Sequence, residues 1–198
     1  MTKLVGPLIF IIFIYSSGIC KGQDSQKCPE IEWKNGSESA KIIMKSDFYY
    51  DVLDAWSPFG NDTGSDTYYL YCDWKKRYPK QEIENFVNDE LASLGYPTFE
   101  LDVDGRDVGK LQDIVSTMLN KYIDLNAINN DIIALAFSQL FLEGQIESKV
   151  KRWAEAAFSR EVVYLDFWNG EKGQKEERMN RMNQMLSDLR KAKEINKD

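Results

Sequence analysis

The chain contains no histidine and only three cysteines in 198 residues. Without imidazole there is no Ser-His-Asp or Cys-His machinery and no ordinary zinc site, because these need a base or ligand that titrates near neutrality. Cations are also in deficit. The 25 Lys and Arg stand against 32 Asp and Glu, a net charge of −7, which speaks against a nucleic-acid partner, since phosphate binding draws on clustered positive charge. Neither a phosphate-cradling glycine loop nor a nucleophile elbow is present. Long hydrophobic runs are missing after the first fifteen residues, the most apolar later stretch being Ile132 to Leu142, interrupted by Ser138 and Gln139. That is too short to span a bilayer, which takes about 20 apolar residues.

What is present begins with an export signature. Lys3 precedes an apolar run from Leu4 to Tyr15, and small residues from Ser16 to Gly22 follow, so residues 1–22 read as a signal peptide, removed to leave a secreted protein without a membrane segment. Removal takes Cys20 with it. Cys28 and Cys72 then remain as the only thiols in an oxidising compartment and are expected to pair, a closure worth about 4 kcal/mol for a loop of that length. Asn35-Gly36-Ser37 and Asn61-Asp62-Thr63 match the N-glycosylation acceptor pattern in Gly/Ser/Asp-rich stretches, which makes Asn35 and Asn61 expected glycosylation sites.

Periodicity after the leader is helical. Ile42, Tyr49, Val52, Leu53 and Trp56 predict an amphipathic helix from Ser39 to Trp56, and Asp66 is expected to cap a second that ends before Pro79. Ile83, Val87, Leu91 and Leu94 predict a third, closed by Gly95. Asp107 is expected to cap a fourth carrying Val108, Leu111, Val115, Met118 and Tyr122. Asn126 is expected to cap a fifth that runs to Glu143; its apolar residues fall on several faces, so it should be the central element. A sixth runs from Gln145 to Trp168, and residues 171–198 form a charged C-terminal helix with a narrow stripe of Met179, Met182, Leu186 and Leu189. The methionines at 179, 182 and 185 are read as packing. Residues 96–106 read as an extended loop, because no second alternating run is available to pair with them. The fold class is therefore all-α, a compact bundle of about six or seven helices, with a helical domain over 23–170 and the charged helix packed on it or extending from it. Setting Ile83 on Ile146 also matches Val87 with Val150, as two related helical units would; ordinary periodicity accounts for the same matches.

No catalytic residue, metal ligand set or cofactor is assigned. Asp102, Asp104 and Asp107, or Glu82 and Glu84, are the carboxylates that chemistry would have to use, and spacing selects no pair among them. A calcium loop starting at Asp102 would need a bidentate Glu where Asp113 stands. The least ordinary feature is the crowding of aromatic residues between Phe48 and Tyr78. Tyr49, Tyr50, Trp56, Tyr68, Tyr69, Trp74 and Tyr78 are candidate binding aromatics, since Tyr and Trp dominate interface hot spots; a tyrosine-rich core is the competing reading.

The leader, the acidic helical body, the Tyr71-Cys72 pair with Cys28 upstream and the two-unit pattern together resemble the secreted salivary effectors of sap-feeding insects, in particular the aphid BICYCLE proteins. The second unit departs from their cysteine-tyrosine-cysteine pattern, since it has no cysteine at all. The resemblance implies delivery into host tissue and binding of a host protein without catalysis. Two other readings stand beside it: a secreted helical carrier of a small apolar ligand, and a carboxylate-dependent hydrolase.

Overall fold

A computed structural model describes residues 27–96 and 100–196. The expected leader, Cys20 within it, and Phe99 of the alternating run lie outside the described residues. The fold is all-α. Among the described residues there are seven α-helices, α1 (Glu38–Ile43), α2 (Asp62–Arg77), α3 (Ile83–Ser93), α4 (Val108–Asn120), α5 (Leu125–Glu143), α6 (Ser148–Tyr164) and α7 (Lys172–Lys191).

Helix α5 is central because its sequence offers no polar face wide enough to meet water. Its buried positions run through Ile128, Ile132, Ile133, Leu135, Phe137, Leu140 and Phe141, all at 2% exposure or less. Helices α2 and α6 lie along it, and α7 adds Met182, Met185 and Leu189 to the same core. Helix α7 thus packs on the body, with Met185 taking the buried place that the predicted stripe gave to half-buried Leu186. Helix α4 builds a smaller cluster with Val103, Leu125 and Val163.

The helix ends explain why the chain turns where it does. Asp107 caps α4 by accepting from the Lys110 amide at 3.0 Å. Two other caps differ from expectation: Asn61 rather than Asp66 opens α2, accepting from the Gly64 amide at 2.9 Å, and Asp124 rather than Asn126 opens α5. In both cases the earlier residue stands at the true first turn, leaving the later one inside the helix. Gly144 closes α5 at φ +74, the left-handed region that glycine enters without a Cβ penalty. Beside it Ser37 joins two helix ends: its hydroxyl donates to Leu140 O at 2.7 Å and accepts from the Ala40 amide at 3.1 Å.

The single helix expected from Ser39 to Trp56 is replaced by α1, a 3-10 turn over Asp47–Tyr50 and a run of tight turns. Polar side chains there capture backbone amides two residues on. Asp51 accepts from Leu53, Asp54 from Trp56 and Ser57 from Phe59, at 2.9, 2.9 and 3.2 Å, which competes directly with helical pairing. Phe48 and Tyr49 turn inward, while Ile42, Val52 and Leu53 are exposed. Tyr122, expected on the buried face of α4, lies beyond the helix end at φ 56 and is 97% exposed.

Helix α6 ends at Tyr164, short of Trp168, and begins at Ser148, because Ile146–Glu147 forms strand β1, paired in parallel with strand β2, Glu194–Ile195. Lys151 holds this junction. Its buried ammonium donates to Arg190 O, Ala192 O and Glu194 Oε1 at 3.2, 3.0 and 2.9 Å, so all three protons serve the end of α7 and the strand after it. The 96–106 segment carries no regular structure where it is described.

One half-buried acid is placed so that its protonated form is favoured. Asp131 on α5 sits against Thr67 of α2 at 2.5 Å, and the Thr67 oxygen is also 2.8 Å from Thr63 O. A hydroxyl has one hydrogen; if it goes to the carbonyl, the carboxyl must supply the other. Burial, then Glu90 of α3 and Asp66 of α2, push the Asp131 carboxyl up to about 7 against the Thr67 bond, and Tyr96 faces it from beyond α3. A folded-state pKa above the unfolded one makes stability greatest below about pH 4 on this group's account, and it is lost as pH rises through about 7. Asp131→Asn is expected to stabilise the protein at pH 8 by about 2–4 kcal/mol and to flatten its stability between pH 5 and pH 8. Urea unfolding of both proteins at the two pH values measures this.

Candidate functional site

Charge is rare in the core, and three of the five buried charged residues among the described residues, Arg160, Glu161 and Arg178, collect where α5, α6 and α7 meet. Asn126, Asn129 and Asn130 mark one side of α5, facing Arg160 and Glu161 of α6 and Arg178 of α7. Glu161, 1% exposed, accepts from Asn129 Nδ2 at 2.9 Å on one oxygen and from Arg178 Nη2 at 2.8 Å on the other. The same Nη2 lies 3.1 Å from Asn130 Oδ1 and 3.5 Å from Asn126 Oδ1. Arg160 donates from Nε to Asn129 Oδ1 at 2.8 Å and from Nη1 to Leu101 O at 3.1 Å. Burial lowers its pKa to about 10, which leaves it charged at neutral pH.

Over this network lies a cavity of about 210 Å³. Trp56, Trp168, Tyr164 and Leu165 form its walls, and Arg178, Glu161 and Asn126 its floor. The two indoles meet edge to face, with centroids 5.8 Å apart and planes at 86°. The Arg178 guanidinium stands 4.9 Å over the Trp56 ring, a cation–π contact that fixes the tryptophan from the loop onto the helix. Next to it Arg181 lies 4.3 Å over Phe48 and 3.6 Å from Asp54, so α7 clamps the turns that carry Trp56.

Two wider depressions flank the body. One of about 590 Å³ between α1 and α7 is rimmed by Lys45, Lys191 and Lys193, and its carboxylate, Asp188, is engaged by Tyr49 at 2.6 Å. The other, about 660 Å³, runs between α4, α6 and the start of α7 beside exposed Val108 and Val162. Neither has a buried polar floor like that of the Trp56 cleft.

The predicted site residues divide. Cys28 and Cys72 form a disulfide, with Cα atoms 6.1 Å apart, that fastens the N-terminal segment to α2. The Tyr68 hydroxyl reinforces it by donating to Pro29 O at 2.7 Å. Asp73 lies beside the two sulfurs, but both are spent on the bridge. Asn35 is exposed and donates to Glu30 O; Asn61 is half-buried at its cap.

Of the aromatic candidates, Tyr49 and Tyr68 are fully buried and Trp74 is 7% exposed. As surface contacts these three are corrected: Tyr49 and Tyr68 pack against Phe137 and Phe141 of α5, and Trp74 against Phe86 of α3. The aromatic surplus fills the interface around α5 because one all-apolar helix needs large partners on several sides. Tyr50 is half-buried, and its hydroxyl is pushed up to about 12 by burial. Tyr69 on α2 and Tyr78 just past its end are exposed and do not line the cleft. Trp56 alone of the seven lines it.

The carboxylates raised in the sequence are dispersed. Asp104 chelates Arg106, Asp102 pairs with Arg152 at 2.9 Å, Asp107 caps α4 and Glu84 pairs with Lys149. Asp66, Glu90 and Asp131 do converge, yet the cavity at Glu90 and Asp131 is about 10 Å³, too small to admit a substrate.

Sequence reasoning missed Arg178, Glu161, Tyr164 and Trp168. The asparagines at 126, 129 and 130, spaced three and four apart in an otherwise apolar helix, were the available signal of a polar seam. In comparisons with known proteins, no family model matches the chain, no curated protein matches it and no solved structure matches it.

Removing the Glu161 charge leaves Arg178 buried without its anion, a loss of the kind that costs about 3–5 kcal/mol. Glu161→Ala is expected to destabilise by that amount, whereas Asp102→Ala, which breaks an exposed pair, should cost less than about 1 kcal/mol. Urea denaturation of the two variants checks the contrast.

Proposed function

We propose that this chain is a secreted, non-catalytic recognition protein, of the kind that the resemblance to insect salivary effectors implies, and that it engages a host protein through the cleft lined by Trp56, Tyr164 and Trp168. The observation that carries this reading is the pair of crossed indoles set over a buried guanidinium. Building that floor costs desolvation of two or more charges, a cost that packing alone would avoid with apolar side chains. Trp, Tyr and Arg in a partly enclosed depression are also the composition of interface hot spots.

Secretion is supported by the Cys28–Cys72 bridge, since such bonds persist in oxidising compartments, and by the leader and sequons of the sequence. No helix among the described residues is long and apolar enough to cross a membrane. The reading as a carrier of an apolar ligand gains no support from this cleft, because its floor is charged.

Trp168 is half-buried at the margin of the core, where it meets Trp56 edge to face, so Trp168→Ala should fold. Immobilised protein incubated with host tissue extract is expected to retain a partner that Trp168→Ala loses and Tyr69→Ala keeps. Equal capture by both variants would place recognition elsewhere.

A further inference from the structure

We infer that the Trp56–Trp168 cleft takes a planar aromatic group bearing a carboxylate. The inference rests on the reading of this cleft as the recognition site and names the chemistry it selects.

Size comes first. At about 210 Å³ the cleft is smaller than the roughly 300–1,000 Å³ that drug-sized ligands occupy. One ring with one small polar group fills it. The walls choose the ring: Trp56, Trp168 and Tyr164 line the cavity, the two indoles held by their own edge-to-face contact, and an aromatic ring packs favourably on such side chains.

The floor chooses the polar group. Every hydrogen bond of Arg178 among the described residues leaves from Nη2, so Nε and Nη1 keep their protons for a ligand. Asn126 presents its oxygen to Arg178, and its amide nitrogen makes no bond among the described residues. The Tyr164 hydroxyl makes none either; burial, then Asp124 and Glu161, raise its pKa, so it stays a donor at neutral pH. None of these atoms is sealed from solvent. The acceptor on the floor, Glu161, has both oxygens engaged. A ligand must therefore bring acceptors, and a carboxylate facing a desolvated guanidinium forms the strongest such bond. The acid can be a free small molecule or the C-terminal residue of a protein chain ending in an aromatic amino acid.

The test uses the secreted protein with its disulfide intact. Benzoate stands for the free acid and N-acetyl-phenylalanine for the chain end; benzamide and N-acetyl-phenylalaninamide are their uncharged counterparts. Calorimetry and tryptophan fluorescence are expected to show each acid binding at least about tenfold tighter than its amide, with at least about a tenfold loss for both acids in Trp168→Ala. Tighter binding of benzoate assigns a free acid, and tighter binding of N-acetyl-phenylalanine a protein terminus. The inference is overturned if acids and amides bind alike, if none binds, or if Trp168→Ala binds as well as the parent. Should no acid bind while Trp168→Ala still loses its protein partner, the ligand chemistry fails and the recognition site stands. Acid binding lost in Trp168→Ala, with protein capture kept, would instead remove the host-protein reading.

Discussion

The carboxylate of Glu161 is 1% exposed at the junction of three helices, and the placement of α7 depends on what that carboxylate binds. A helix as polar as α7 has little to gain from burial beyond Met182, Met185 and Leu189. An ion pair across to α6, shared with asparagines of α5, adds a directional constraint that a methionine stripe cannot provide. Methionine packs in many ways, whereas a buried guanidinium and carboxylate tolerate few arrangements. Once Arg178 is fixed, its outer face positions Trp56, and Trp168 closes against that indole. The cleft is thus a consequence of the internal charge network.

A second constraint works from the other end of α7. Lys151 gathers the last carbonyls of the helix and Glu194, and the parallel pair β1–β2 follows. With one ion pair near the start of α7 and one ammonium at its end, a helix that the sequence allows to stand apart lies along the body. The disulfide does the same for the N-terminal segment on the far side of α2.

Much of the fold was legible where local chemistry and burial agree. The apolar circumference of α5, the Asp107 cap and the glycine at 144 each carry a single reading, and the structure follows them. The Ser39–Trp56 prediction failed because its apolar spacing was helical while Asp51, Asp54 and Ser57 favoured turns. Periodicity alone could not weigh those amides. The two-residue strands were illegible, since their pairing is set by where Lys151 and α7 bring the chain end. At the site, only Trp56 was anticipated. Arg178 stands among many exposed charges of α7, and nothing in its neighbours marks it as 3% exposed; its meaning comes from Glu161, 17 residues earlier in the chain and in another helix. Of the tyrosines that looked surplus to one helix face, Tyr49, Tyr50 and Tyr68 line α5, while Tyr69 and Tyr78 are exposed.

The most direct measurement is a double-mutant cycle on Glu161→Gln and Arg178→Met, read by urea denaturation. If the ion pair organises the α5–α6–α7 junction, the two losses should be strongly non-additive, with a coupling of at least about 2 kcal/mol. Additive losses would mean that each residue acts alone and that the pair does not hold α7 in place.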